Sequence, residues 1–275
     1  MPVYRGGKPP ITYGTFYSGG GYLPGVIALA RSLKGVSSCV PLTVFADKGL
    51  GADQRALLER NGISVSVLDE VTVPDSVKRL NDVGGFSHWN RSFLKLRIFS
   101  QTDWSKIVLL DADMMVVRNI DALFDLPHMS AVVAGQGCHP DWIDLNSGLM
   151  VIEPEEGETD RMLDLLGGLR EEELAEYAGI GDQDVVQLAY PDWSGERRLH
   201  LPETYNLFSD CLARYLKLGI VDEESVRVVH FECSPKPWSY GWKDWARIFR
   251  RALRWGSTAE VSALRRYRSL YAGFF

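Results

Sequence analysis

Through the first two thirds of the chain, short apolar runs alternate with stretches whose apolar positions recur every three or four residues. Runs of the first kind read as strands and stretches of the second as helices. Residues 11–17 predict a first strand, and Ser18-Gly19-Gly20-Gly21 after it a tight turn where backbone can approach a ligand. Residues 22–33 have helical spacing in Val26, Leu29, Ala30 and Leu33, and 41–46 predict a second strand. A helix over 53–61, stopped by Gly62, and a strand over 63–68 follow. Residues 91–100 predict a helix that buries Phe93, Leu96 and Phe99. Strands over 130–134, 147–152 and 226–231 and helices over 159–169 and 183–189 complete the pattern. Stacked βαβ units of this kind make an α/β domain on a mainly parallel sheet.

Ile107-Val108-Leu109-Leu110 is apolar without alternation, the mark of a strand covered on both faces. Asp111-Ala112-Asp113 follows at its carboxyl end, where open α/β sheets bind ligands. If the segment stays extended, residues two apart point the same way, so Asp111 and Asp113 face one cation while Ala112 turns aside. Hard divalent cations prefer oxygen ligands and share carboxylates with substrate phosphates. A DxD triplet alone is a weak signal, because most such triplets cap helices or solvate loops.

Composition narrows the class. The chain has 275 residues, 45% hydrophobic and 24% charged, ordinary for a globular protein. No apolar run approaches a membrane span, and the first ten residues lack the apolar core of a signal peptide, so a cytoplasmic protein is expected. Cys39, Cys138, Cys211 and Cys233 lie far apart, which reads as reduced thiols. The net charge of −6 is uneven: from residue 241 onward eight basic residues face two acidic ones, +6, which leaves −12 on the rest. An acidic body argues against nucleic acid as a partner. The tail sets Trp245, Ile248, Phe249 and Ala252 at helical spacing among Lys243, Arg247, Arg250, Arg251 and Arg254. That pattern suits docking on the acidic body or a homodimer interface, the commoner uses of an apolar stripe, and equally a helix on an anionic membrane. The expected division is a catalytic domain over 1–240 and a basic, amphipathic helical extension over 241–275.

Six segments, in order, raise the triplet above chance. They are Leu109-Leu110-Asp111-Ala112-Asp113 followed by Asn119-Ile120-Asp121-Ala122-Leu123-Phe124; Asn146-Ser147-Gly148; Gly181-Asp182-Gln183-Asp184; Leu201-Pro202-Glu203-Thr204-Tyr205-Asn206; His230-Phe231-Glu232-Cys233; and Lys236-Pro237-Trp238. Together they resemble the glycogenin-like glycosyltransferases of family 8, which include plant galactinol synthases and bacterial lipooligosaccharide galactosyltransferases. The resemblance implies a GT-A type, Rossmann-like domain that moves a hexose from a UDP-sugar donor to a small carbohydrate, polyol or glycoside, with Mn²⁺ or Mg²⁺. It implies Asp111, Asp113 and His230 as metal ligands, with Ala112 beside the donor. Lys236 and Lys95 would contact the donor, Lys236 as a point charge on the diphosphate. Asn146, Ser147, Asp182 and Gln183 would line the sugar, with Asp182 and Gln183 nearest the chemistry and Asp182 also capping its helix. Thr15, Tyr17 and Tyr22 would contact uracil and ribose.

Family members keep the anomeric configuration. Gln183, nearest the position of a nucleophile, is an amide and a poor one, so a same-face reaction is expected; a transient bond to Asp182 is the alternative. A dehydrogenase reading fails because Gly19-Gly20-Gly21 lacks the GxGxxG spacing. A catalytically silent nucleotide-sugar binder, or a nucleotide-sugar hydrolase, would carry the same pocket. Two departures stand out: Cys233 replaces the family's glycine in the closing signature, and the glycine turn lacks the polar side chains often found there. Tyr215 lies in a context unlike that of glycogenin's self-glucosylated tyrosine, so glycogen priming is not expected.

Overall fold

A computed structural model describes residues 10–273 apart from Gly20, Ala134, Gln136, Cys138 and His139. Gly20 of the expected turn, Ala134 at the end of an expected strand, Cys138 and residues 1–9 thus lie outside the described residues. The chain alternates β1 (Ile11–Tyr17), α1 (Leu23–Gly35), β2 (Leu42–Ala46), α2 (Ala52–Arg60) and β3 (Ser64–Val67). β1 pairs in parallel with β2, and β2 with β3. After α3 (Asp75–Gly84) and a 3₁₀ helix (Ser87–Ser100), β4 (Lys106–Leu110) pairs in parallel with the other edge of β1. β6 (Ala131–Val132), the antiparallel β7 (Asn146–Ile152) and β8 (His200–Leu201) complete a seven-stranded, mainly parallel sheet in the order β3-β2-β1-β4-β7-β6-β8. The expected α/β class is thus observed.

Alternate residues of β4 enter different cores. Ile107 and Leu109 join Phe93, Leu96 and Phe99 of the 3₁₀ helix, together with α4 (Glu158–Gly167) and α6 (Asp182–Ala189). Val108 and Leu110 join Val26, Ile27 and Leu33 of α1 on the other face. All four β4 residues are fully buried, which accounts for a run with no polar alternation. Truncating one, as in Leu109→Ala, costs about 2–5 kcal/mol.

The helix expected over 91–100 begins earlier, at Ser87, and is wound as a 3₁₀ helix. Phe93, Leu96 and Phe99 recur every third residue, so three residues per turn align them on one line. Unanticipated from sequence are α3, the short α5 (Glu171–Leu174), α7 (Ser209–Leu218) and the two-residue strands β8 and β9 (Leu207–Phe208), whereas β6 falls within the strand expected over 130–134. β5 (Met114–Val116), β10 (Val228–His230) and β9 form a second, three-stranded sheet. Over it lies a third core, in which α7, α8 (Trp242–Trp255) and α9 (Ala259–Tyr271) contribute Leu212, Ile248, Ala252, Leu264 and Tyr267. Trp245, Ile248 and Ala252 therefore dock on the body, whereas Phe249, expected in the same stripe, is exposed. Among the described residues no helix is long and apolar enough to cross a membrane.

Candidate active site

The triplet is not extended. β4 ends at Leu110 and β5 begins at Met114, and the Met114 amide bonds back to the Asp111 carbonyl at 3.2 Å, a turn. Asp111 and Asp113 converge because the chain folds back there, which corrects the expectation of two side chains on one extended segment. Three elements hold the turn from outside. The Asp111 amide donates to the Gly148 carbonyl (2.9 Å) and the Phe231 amide to the Asp113 carbonyl (3.0 Å). Gly25 of α1 packs so close that a Cβ would stand 2.5 Å from the Ala112 carbonyl and 2.9 Å from the Trp238 ring.

The small sheet delivers the third ligand. β10 runs antiparallel to β5 with His230 opposite Met114, one residue beyond Asp113. His230 Nε2 lies 3.2 Å from Asp113 Oδ1 and 4.0 Å from Asp111 Oδ2. β9 sets Asn206 beside the ring, with its Oδ1 2.8 Å from His230 Nδ1 and its amide donating to Asn146 Oδ1 at 2.7 Å. With the Asn206 amide committed that way, His230 must donate from Nδ1, so that Nε2 is the nitrogen turned toward the carboxylates. Asn206 was legible only as part of a motif; its task of orienting His230 comes from the strand pairing. Gly148 is required beside it, since a Cβ would meet Asn146 Oδ1 at 2.8 Å and His230 Cε1 at 3.1 Å.

Two lysines balance the carboxylates. Lys236 Nζ lies 2.6 Å from Asp113 Oδ2 and donates to the Glu232 carbonyl at 2.7 Å. Lys95, 5% exposed, reaches Asp111 Oδ1 at 2.8 Å, Asp182 Oδ2 at 3.2 Å and the Ser147 carbonyl at 3.0 Å. Its three protons are thereby engaged, and it sits behind the carboxylates rather than among the residues that line the cleft. Burial disfavours the Asp113 charge, but His230 and Lys236 outweigh it and hold this carboxyl well below the usual range. Burial likewise works against a charged His230, yet Asp113 and Asp111 carry the imidazole above its ordinary value.

β7 and α6 form the opposite wall. Ser147 Oγ donates to Asp182 Oδ2 (3.0 Å), and the Ser147 amide to Gln183 Oε1 (3.1 Å). Helix capping, expected of Asp182, falls to Asp184, whose Oδ2 accepts the Gly181 amide at 2.7 Å. Asp182 is turned to the site instead. The loop before α6 is pinned by buried Asn81, which bonds both backbone groups of Ile180 at 2.8 and 2.9 Å.

A cleft of about 880 Å³ gathers Asp111, Ala112, Asp113, Asn146, Ser147, Asp182, Gln183, His230, Lys236 and Tyr22. From β1 and its turn it takes Phe16, Ser18 and Gly19. Thr15 and Tyr17 are not brought to it: both are buried, Tyr17 in the core beneath α1. Sequence reasoning passed over Trp89 and Trp142, which also line the cleft, and gave Asp184, named only within its motif, no place there. Tyr215 is fully buried with its hydroxyl on Glu203 Oε1 at 2.7 Å, so it presents no exposed hydroxyl. Cys39 and Cys233 are in no disulfide, as expected of reduced thiols.

Donor atoms of Asp111, Asp113 and His230 all lie within 4.8 Å of one another. Two carboxylates and one imidazole with its second nitrogen already bonded form a donor set that fits Mn²⁺ or Mg²⁺ beside a substrate diphosphate.

The glycosyl transferase family 8 profile matches residues 15–241. Human glycogenin-1 is 33% identical over 229 residues, 80% of this chain and 59% of the relative. Tomato (Solanum lycopersicum) galactinol synthase 1 is 30% identical over 259 residues, 86% and 76%. The inositol phosphorylceramide glucuronosyltransferase 1 of Arabidopsis thaliana is 28% identical, and the chain spans 43% of its length. The solved structure of the galactosyltransferase LgtC with donor and acceptor sugar analogues superposes with a TM-score of 0.56 at 15% identity, covering 90% of this chain and 95% of that one. Apo GlyE of Streptococcus pneumoniae gives 0.55 at 16% identity, covering 93% and 63%, so the fold is GT-A-like. With a match that runs from within β1 to the edge of α8, and the triplet, the NSG segment and the closing KPW joined in one cleft, the chain belongs to glycosyl transferase family 8.

Proposed function

We propose that the chain is a retaining hexosyltransferase. It moves glucose, galactose or an N-acetylated analogue from a UDP-sugar to a hydroxyl of a small carbohydrate, polyol or glycoside. The observation that carries this reading is the convergence of Asp111, Asp113 and His230 on one side of the cleft with Asp182 and Gln183 on the other. The first three would hold Mn²⁺ or Mg²⁺, which as a Lewis acid would neutralise the departing diphosphate. Lys236, at the cleft edge, adds a point charge for the same phosphates. Lys95 acts through its neighbours, holding Asp111 and Asp182 at fixed separation. Asn146 and Ser147 border the sugar.

Asp182 is tied by one oxygen to Lys95 and Ser147, which lowers its nucleophilicity, and Gln183 is an amide with its carbonyl already bonded. Both features favour the same-face reaction over a covalent sugar on Asp182. On the nucleoside side, Tyr22 borders the cleft with its edge against Trp238 at 5.3 Å. Phe16 of β1 and Ser18 just after it are the side chains available to base and ribose, while Thr15 and Tyr17 would contribute through backbone atoms or support. Residues 1–240 form the catalytic part in this reading.

The test is a screen of nucleotide sugars for Mn²⁺-dependent thermal stabilisation, followed by hydrolysis and transfer assays with the best binder. Stabilisation by a UDP-hexose that needs Mn²⁺ and vanishes in Asp113→Ala is expected. Stabilisation that persists without metal would overturn the assignment.

A further inference from the structure

Docking α8 on the body uses only half of its apolar surface. At about 100° per residue, Trp245, Ile248 and Ala252 share the inward side, while Trp242, Phe249 and Leu253 fall within about 40° of one another on the adjoining outward side. These three are 76%, 46% and 83% exposed. Single exposed apolar residues are ordinary, but three in one stripe on one helix, two of them aromatic, are not.

The flank beyond that stripe is basic. Lys243, Arg250 and Arg254 lie next to it and are all exposed. Lys243 and Arg254 stand over the rings of Trp242 and Trp255, at 5.6 and 5.2 Å. The helix is carried rigidly: Arg251 donates to buried Glu260 of α9 at 2.9 Å, and Arg268 of α9 binds the Pro237 carbonyl at 2.9 Å while lying over Trp245. The face needs no rearrangement to be presented.

We propose that this outward face of α8 docks on an anionic lipid bilayer, with Trp242, Phe249 and Leu253 entering the interface and Lys243, Arg250 and Arg254 against acidic headgroups. Charge selects this partner. The whole chain carries −6, which opposes approach to an acidic surface, yet the segment from residue 241 onward carries +6. A second copy meeting this face with its own α8 would set like charge against like, whereas an acidic bilayer complements the basic flank as its acyl boundary complements the stripe. Tryptophan is enriched at the depth of the headgroups, where its amphipathic ring sits. The inference stands apart from the transferase reading, because none of these residues touches the cleft.

The experiment is co-sedimentation of the full chain with vesicles of phosphatidylcholine alone or with roughly one third phosphatidylglycerol. Anionic vesicles should bind at least ~10-fold better than neutral ones, with a blue shift of tryptophan emission and weakening in salt. Trp242→Ser/Phe249→Ser/Leu253→Ser, and separately Arg250→Glu/Arg254→Glu, should each lose binding at least ~10-fold. Being exposed, these side chains should leave the melting temperature nearly unchanged. No binding to anionic vesicles, equal binding by the variants, or a dimer in light scattering that the triple variant dissolves would each overturn the proposal, the last assigning the face to a second copy.

Discussion

β1 and β4 lie side by side, pair in parallel and end at one cleft, yet they furnish it differently. At the end of β4 every functional side chain has a charged partner: Lys95 and His230 by Asp111, His230 and Lys236 by Asp113. From the end of β1 the cleft takes only Phe16, Ser18 and Gly19, none of them charged, and the Thr15 hydroxyl is buried and bonded to no described residue. Chemistry carried by charge demands particular residue types, so it leaves a mark in the sequence. Recognition by backbone and apolar surface does not. The first can be read from residue identity, the second only from which way a side chain points.

The contrast is broken most directly by paired substitutions. Asp113→Asn should lower metal-dependent donor turnover by about 10³-fold or more, as it removes a ligand and the counter-charge of Lys236 together. Tyr17→Phe, two residues beyond Thr15, should change it less than about twofold. Steady-state kinetics with one nucleotide sugar decide the matter, and comparable losses would mean that the β1 end is catalytic too.

Next in size is stability. Lys95→Ala leaves Asp111 and Asp182 facing each other without a cation and should cost about 3–5 kcal/mol. For a chain of this length that lowers the melting temperature by roughly 10 °C. Thr15→Val, by contrast, replaces a buried hydroxyl that has no described partner by a methyl group, and should be neutral or slightly stabilising. A destabilised Thr15→Val would show that the hydroxyl is bonded after all.

How far each region could be read follows from the same physics. The run Ile107 to Leu110 announced a strand covered on both faces, and the KPW sequence drew His230 and Lys236 to it. The parity of β1 was closed to inspection because that strand too is buried on both sides, so its sequence does not alternate. Choosing Thr15 and Tyr17 over Phe16 and Ser18 needed the sheet. Asn206 could be placed only once β9 was seen beside β10, and Lys95, expected against the donor, turned out to be saturated by protein oxygens. In α8 the apolar arc is wider than one docking face, so the spacing could not tell Phe249, outside, from Ile248, inside. A moderate effect sharpens the parity argument: Phe16→Ala should raise the donor KM about tenfold with kcat within about threefold, since it removes binding surface shared by ground and transition states.

The smallest effect concerns the bond that joins β1 to the segment following β5. Tyr13 of β1 donates to Asp121 Oδ1 at 2.7 Å, Ser38 donates to the same oxygen at 2.6 Å, and the Cys39 amide reaches Oδ2 at 3.2 Å. Burial raises the cost of the Asp121 charge, but these donors and Asn119 outweigh it and hold the carboxyl below its ordinary value. A carboxylate depressed in the folded state stabilises the fold above its unfolded pKa of about 3.9, and the contribution fades as pH falls through the folded value. Asp121→Asn should therefore be less stable than the parent by on the order of 1 kcal/mol at neutral pH, with the gap closing between about pH 5 and pH 2. Urea unfolding at a series of pH values measures it. A gap that stays constant into acid would mean that Asp121 acts by shape and hydrogen bonding alone. The buried charges of this sheet would then be concentrated at the end of β4, where the metal ligands are.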